Sequence, residues 1–145
     1  MLKTMRCSLS VIFLLLGVLP ADVFATDCGY LKTQSEMNQC TYEEFQRVDA
    51  ELNSLYGAYR SRLDVHLKRQ LKAVQLAWVK FRDLACEYES TGVKGGSVYP
   101  FILQSCLTSM TRSRVEQLHY LANCEEGDLS CPAHNQTQPG DRSPP

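Results

Sequence analysis

A chain of 145 residues with 15 basic and 16 acidic side chains has the length of one domain, and its net charge of −1 lacks the basic excess that phosphate binding demands. Nucleic acid is therefore excluded as a natural partner. Residues 1–25 read as a removable leader: Lys3 and Arg6 precede the apolar run 11–19, Pro20 breaks it, and Val23-Phe24-Ala25 suits a signal peptidase. The run is about half of the ~20 residues needed to span a bilayer, so cleavage after Ala25 and no membrane insertion afterwards are expected. The mature chain then has 120 residues, 13 of them basic and 15 acidic, and is destined for the periplasm or secretion.

Cys7 leaves with the leader, and Cys28, Cys40, Cys86, Cys106, Cys124 and Cys131 remain. An even count in an exported small chain reads as three disulfides, and the absence of any C-x-x-C pair argues against a metal site. Six cysteines allow fifteen pairings. Pairing between neighbours along the chain (Cys28–Cys40, Cys86–Cys106 and Cys124–Cys131) is the expectation, with the alternatives open.

Taken in order, the mature chain predicts an all-α fold, a small three-helix bundle stapled by disulfides. Thr33 followed by Glu36 fits a capping box, and Thr41 offers a second start just after Cys40. Met37, Cys40, Phe45, Val48, Leu52, Leu55, Tyr59 and Leu63 then recur mostly at three- and four-residue steps, a helical face. A turn near Asp64, with Asp64 capping the next helix, separates the first helix from the second, although one long helix is also compatible with the pattern. In the second helix Leu67, Leu71, Val74, Trp78, Phe81, Ala85 and Tyr88 alternate steps of four and three, a stripe expected to be buried against a neighbouring helix, with Trp78 in the core.

Gly92, Gly95 and Gly96 end that helix. Ser97 is the expected cap of the third helix, with Pro100 in its first turn. Tyr99, Ile102, Leu103, Cys106, Met110, Leu118 and Leu121 should face inward. A Cys86–Cys106 bond would hold the base of the glycine loop and leave its tip free. The domain is placed at residues 26–131, with a disordered, Pro- and Gln-rich tail at 132–145.

Polar side chains interrupt the apolar faces: Asp49, Asn53 and Tyr56 in the first helix, Gln75, Trp78 and Arg82 in the second, and Arg114 in the third. Buried polar groups need partners from facing helices, so this set is expected to be a structural polar core that fixes register. No catalytic constellation is present. His66, His119 and His134 form no metal motif, and neither a G-x-S-x-G nor a phosphate loop occurs. Glu87 and Glu89 are too close along a helix to converge as an acid/base pair. No cofactor, no metal and no enzymatic activity are expected.

At these residues the chain resembles the LprI-type lysozyme inhibitor domain. The resemblance lies in Cys28, Thr33-x-x-Glu36 and Cys40, then Asp49-x-Glu51-Leu52-Asn53-x-x-Tyr56, then Gln75-x-x-Trp78-x-x-x-Arg82-Asp83-x-x-Cys86. It continues through Gly95-Gly96-Ser97 and Cys106-x4-Thr111-x-x-Arg114-x-x-x-Leu118. It implies an exported helical domain whose partner is a protein, a lysozyme in the leading case, with protection of peptidoglycan as the outcome. A periplasmic immunity or adaptor protein of the same fold is the alternative. Blocking a cleft built on two carboxyl groups calls for a protruding cation and accessible backbone N–H groups. Lys94, Gly95, Gly96 and Ser97 with Tyr99 are the segment suited to it; the competing reading is a flexible connector.

Overall fold

The computed structural model describes residues 27–125, 128, 129, 131 and 132, so the leader expected at 1–25 and all of the expected tail but Pro132 lie outside the described residues. A 3₁₀ turn at Cys28–Tyr30 leads into three long helices, α1 (Gln34–Ser61), α2 (Val65–Glu89) and α3 (Tyr99–Ala122), with a second 3₁₀ turn at Thr91–Val93. Among the described residues there is no strand. The cysteines pair as neighbours along the chain: Cys28–Cys40, Cys86–Cys106 and Cys124–Cys131.

Local chemistry sets the helix ends. Thr33 and Glu36 form a full capping box: the Thr33 hydroxyl accepts the Glu36 N–H at 3.2 Å, and the Glu36 carboxylate accepts the Thr33 N–H at 2.9 Å. The second possible start after Cys40 is not used. Thr41 is buried inside a continuous α1, and its hydroxyl donates back to the Met37 carbonyl at 3.1 Å. Asp64 caps α2 by accepting the Leu67 N–H at 2.8 Å, so α1 and α2 are separate. Ser97 does not cap α3. Val98 holds that position without a side-chain bond, and Pro100 in the first turn has no N–H to satisfy.

α1 and α3 run parallel and make the tightest pair. Asn38 meets the Ser97 carbonyl at one end, and Arg62 meets the Ala122 carbonyl at 3.0 Å at the other. Between them Leu52, Tyr59 and Leu63 pack on Val115, Leu118 and Ala122 to form the apolar core. α2 returns antiparallel and adds to this cluster only the partly buried Leu67, Leu71 and Trp78.

The apolar stripe of α2 thus faces inward only in part, contrary to expectation. Val74, Phe81 and Tyr88 are 53%, 61% and 78% exposed, whereas Gln75, Arg82 and Cys86 are buried. At ~100° per residue α2 is turned about a quarter turn away from its apolar stripe. The cause is polar: Arg82, Gln75 and the Cys86 disulfide have partners in the interior that an apolar side chain cannot engage. Trp78 is half-buried, not core. A smaller shift occurs in α3, where Ile102 is exposed while Thr108, Thr111 and Arg114 are buried.

Candidate functional site

The segment after α2 is tied down at both ends. At its base the Cys86–Cys106 bond joins α2 to α3 with a Cα–Cα distance of 5.6 Å. The fully buried Ser90 donates its hydroxyl to the Cys86 carbonyl at 2.7 Å, and Thr91 donates to the Tyr88 carbonyl at 2.7 Å. Across the loop, the side-chain amide of Asn38 donates to the Ser97 carbonyl at 2.9 Å. Asn38 was not singled out by sequence patterning, since a lone amide one turn past a cap carries no periodic signal.

Within these ties the tip is open. Lys94, Gly95, Gly96 and Ser97 are exposed, and Tyr99 is half-buried in the first turn of α3. Gly95 has φ +84°, a left-handed conformation that a side chain would strain. The Gly96 N–H donates to the Val93 carbonyl at 3.0 Å, and a Cβ at Gly96 would meet that oxygen at 3.2 Å. Lys94 makes no ion pair among the described residues. The arrangement can present one ammonium group at the end of the bundle.

The polar core lies below. Arg82 donates to Asp49 at 3.0 Å, to Asp83 at 2.9 Å and to the Thr111 hydroxyl at 3.2 Å, which joins all three helices. Asn53 donates to the other carboxylate oxygen of Asp49 at 2.9 Å. Arg114 donates to Gln75 and Gln117, each at 3.1 Å, and burial lowers its pKa. Both guanidiniums lie against the Trp78 ring, at 5.3 Å for Arg82 and 5.7 Å for Arg114. Of the polar residues expected together, Tyr56 stands apart and packs on the apolar cluster.

On the other side of the bundle, Glu44 of α1 bonds Arg47 at 2.7 Å and also pairs with Arg112 of α3. Its carboxyl is held below the usual range, first by the Arg47 hydrogen bond; burial opposes this, and the charges of Arg47 and Arg112 add to it. A cavity of about 330 Å³ lies here, lined by Asp27, Glu44, Thr108 and Arg112 among others. Glu87 and Glu89 are exposed. Among the described residues no three His, Cys, Asp or Glu side chains converge as a metal site, and no helix is long and apolar enough to cross a membrane.

A family model described as "Lysozyme inhibitor LprI" matches residues 26–118, a span that takes in α1, α2, the loop and most of α3. An uncharacterized protein of Rhizobium meliloti (strain 1021) is 30% identical over 118 residues, covering 69% of this chain and 81% of that protein. The uncharacterized protein YecT of Escherichia coli (strain K12) is 30% identical over 116 residues, covering 70% of this chain and 68% of that protein. No solved structure gives a significant match.

Proposed function

The chain belongs to the LprI lysozyme inhibitor family, and on that premise we propose that it binds a lysozyme stoichiometrically and fills its cleft with the loop between α2 and α3. The observation that carries this reading is the double tether of the loop, by the Cys86–Cys106 bond below and the Asn38–Ser97 hydrogen bond across it. A loop ordered before binding loses less conformational entropy when it docks. Lys94 then stands opposite the paired carboxyl groups of a glycosidase cleft, and Gly95 and Gly96 let the backbone approach closely. Tyr99, half-buried, supports the tip from below. The working compartment is the periplasm or the exterior after loss of the leader, and the outcome is protection of peptidoglycan by binding, without turnover.

The test is inhibition of a panel of lysozymes by the oxidised mature protein, native and with Lys94→Ala and Ser97→Ala combined. Near-equimolar inhibition by the native chain, reduced at least about tenfold in the double variant at unchanged helical content, supports the reading. Full inhibition by the double variant removes the loop from it. Absence of inhibition across the panel removes lysozyme as the target and leaves an immunity or adaptor role with another protein.

A further inference from the structure

The quarter-turn rotation of α2 leaves a run of apolar side chains in water. Val74, Phe81, Leu84 and Tyr88 are 53%, 61%, 56% and 78% exposed, and Ala77 between them is also exposed. They follow one another at steps of three and four, and all point away from the buried Gln75, Arg82 and Cys86. A 3.5-residue repeat is the spacing with which one helix packs along another at a shallow angle. Neither α1 nor α3 occupies this face.

Charge beside the stripe says what does. The first half of α2 carries Lys68, Arg69 and Lys72, and its last turns carry Glu87 and Glu89. Arg69 and Glu87 are separated by about five helical turns, so they stand on one line of the helix next to the stripe. Both are exposed, and neither forms an ion pair among the described residues. A helix that is basic at one end and acidic at the other complements itself when reversed.

We propose that the exposed stripe of α2 is the face on which two copies of this chain pair antiparallel about a twofold axis. The apolar side chains form the seam, and Arg69 of each copy comes beside Glu87 of the other. The midpoint between Arg69 and Glu87 falls at Trp78, and an axis there sets the part of the stripe from Val74 to Phe81 against the same part of the other copy, while Leu84 and Tyr88 reach toward the first half of its α2. A parallel pair would set like charge against like. A twofold interface built from one patch on both partners is the commonest form of self-association. Because α2 runs the length of the bundle, its glycine loops end up at opposite poles, roughly 35–40 Å apart for a helix of 25 residues, and both stay free.

Sedimentation of the oxidised mature chain tests this. The expected result is twice the monomer mass at tens of micromolar, with monomer mass for Phe81→Asp at unchanged helical content. Arg69→Glu and Glu87→Arg should each raise the dimer dissociation constant about tenfold, and the two together should restore it. A native chain that is monomeric at about 100 µM overturns the proposal, as does a dimer that survives Phe81→Asp or a double charge reversal that restores nothing. If Phe81→Asp abolishes lysozyme inhibition by a chain that is monomeric on its own, the stripe belongs to the lysozyme and the dimer is overturned.

Discussion

The side-chain amide of Asn38 reaches the carbonyl of Ser97 at 2.9 Å across 59 residues of sequence, linking the first turns of α1 to the segment that enters α3. Ser97 and the preceding Gly95 and Gly96 are exposed, so the tip itself is held by few contacts besides this bond. Asn38→Ala should therefore loosen the loop without unfolding the bundle. Amide exchange at Gly95, Gly96 and Ser97 is expected to speed up, lysozyme inhibition to fall several-fold, and the thermal midpoint to drop by about 5 °C at most, since one exposed hydrogen bond contributes about 1 kcal/mol or less.

Arg82 and Arg114 share Trp78 but differ in their counter-charges. Arg82 has two carboxylates, Asp49 and Asp83, and a Thr111 hydroxyl; Arg114 has only neutral amide oxygens from Gln75 and Gln117, and its Nη2 is buried without a partner. Arg82→Met should destabilise by about 2 kcal/mol, a moderate loss because Asp49 and Asp83 keep 34% and 48% of their side-chain surface in water. Arg114→Met should be within about 1 kcal/mol of native or more stable, since it removes a buried cation that lacks an opposite charge. Urea unfolding followed by helical signal separates the two outcomes.

Acid should weaken the α1–α3 pairing through Glu44. Its folded pKa lies below its unfolded value of about 4.5, so the folded state binds its proton less readily than the unfolded chain. The stabilisation is present in full above the unfolded pKa and is lost as pH falls through the folded one. The thermal midpoint is expected to drop between about pH 5 and pH 3, and Glu44→Gln should flatten the curve in that window and lower the plateau above it.

Removing the bond under the loop is a larger perturbation. Cys86→Ser with Cys106→Ser opens a closure of 20 residues and should destabilise by about 3 kcal/mol. Removing Cys124 and Cys131 opens a closure of 7 residues beyond the last helix and should cost less. Denaturant midpoints of the two double variants give the order directly.

Much of this architecture is legible in short-range chemistry. Thr33 with Glu36, Asp64 before α2, the glycines after it and Pro100 all mark boundaries where the structure has them, because caps and breakers act over three or four residues. The face of α2 was legible only in part: its polar members Gln75 and Arg82 are marked as inward by the need for partners, but the apolar stripe misleads. Periodicity weighs apolar side chains alone and so selects Val74, Phe81 and Tyr88, while the helix is oriented by Arg82 reaching Asp49 and Thr111 and by Cys86 reaching Cys106. The same blindness hid the buried Thr111, whose hydroxyl is satisfied by the Leu107 carbonyl at 2.6 Å and so tolerates the interior. In the loop, Lys94 and Gly95 were visible by type, but the Asn38 that holds the carbonyl beside them depends on α1 and α3 lying parallel, a relation no local pattern encodes.

Among the described residues the six cysteines are joined in pairs of neighbours along the chain, over separations of 12, 20 and 7 residues, so none of these bridges encloses or crosses another. With Cys7 gone in the leader expected at 1–25, an oxidant that couples each newly emerged thiol to the last one still free arrives at this set. Such a product needs no later reshuffling by an isomerase, and its maturation can keep pace with synthesis.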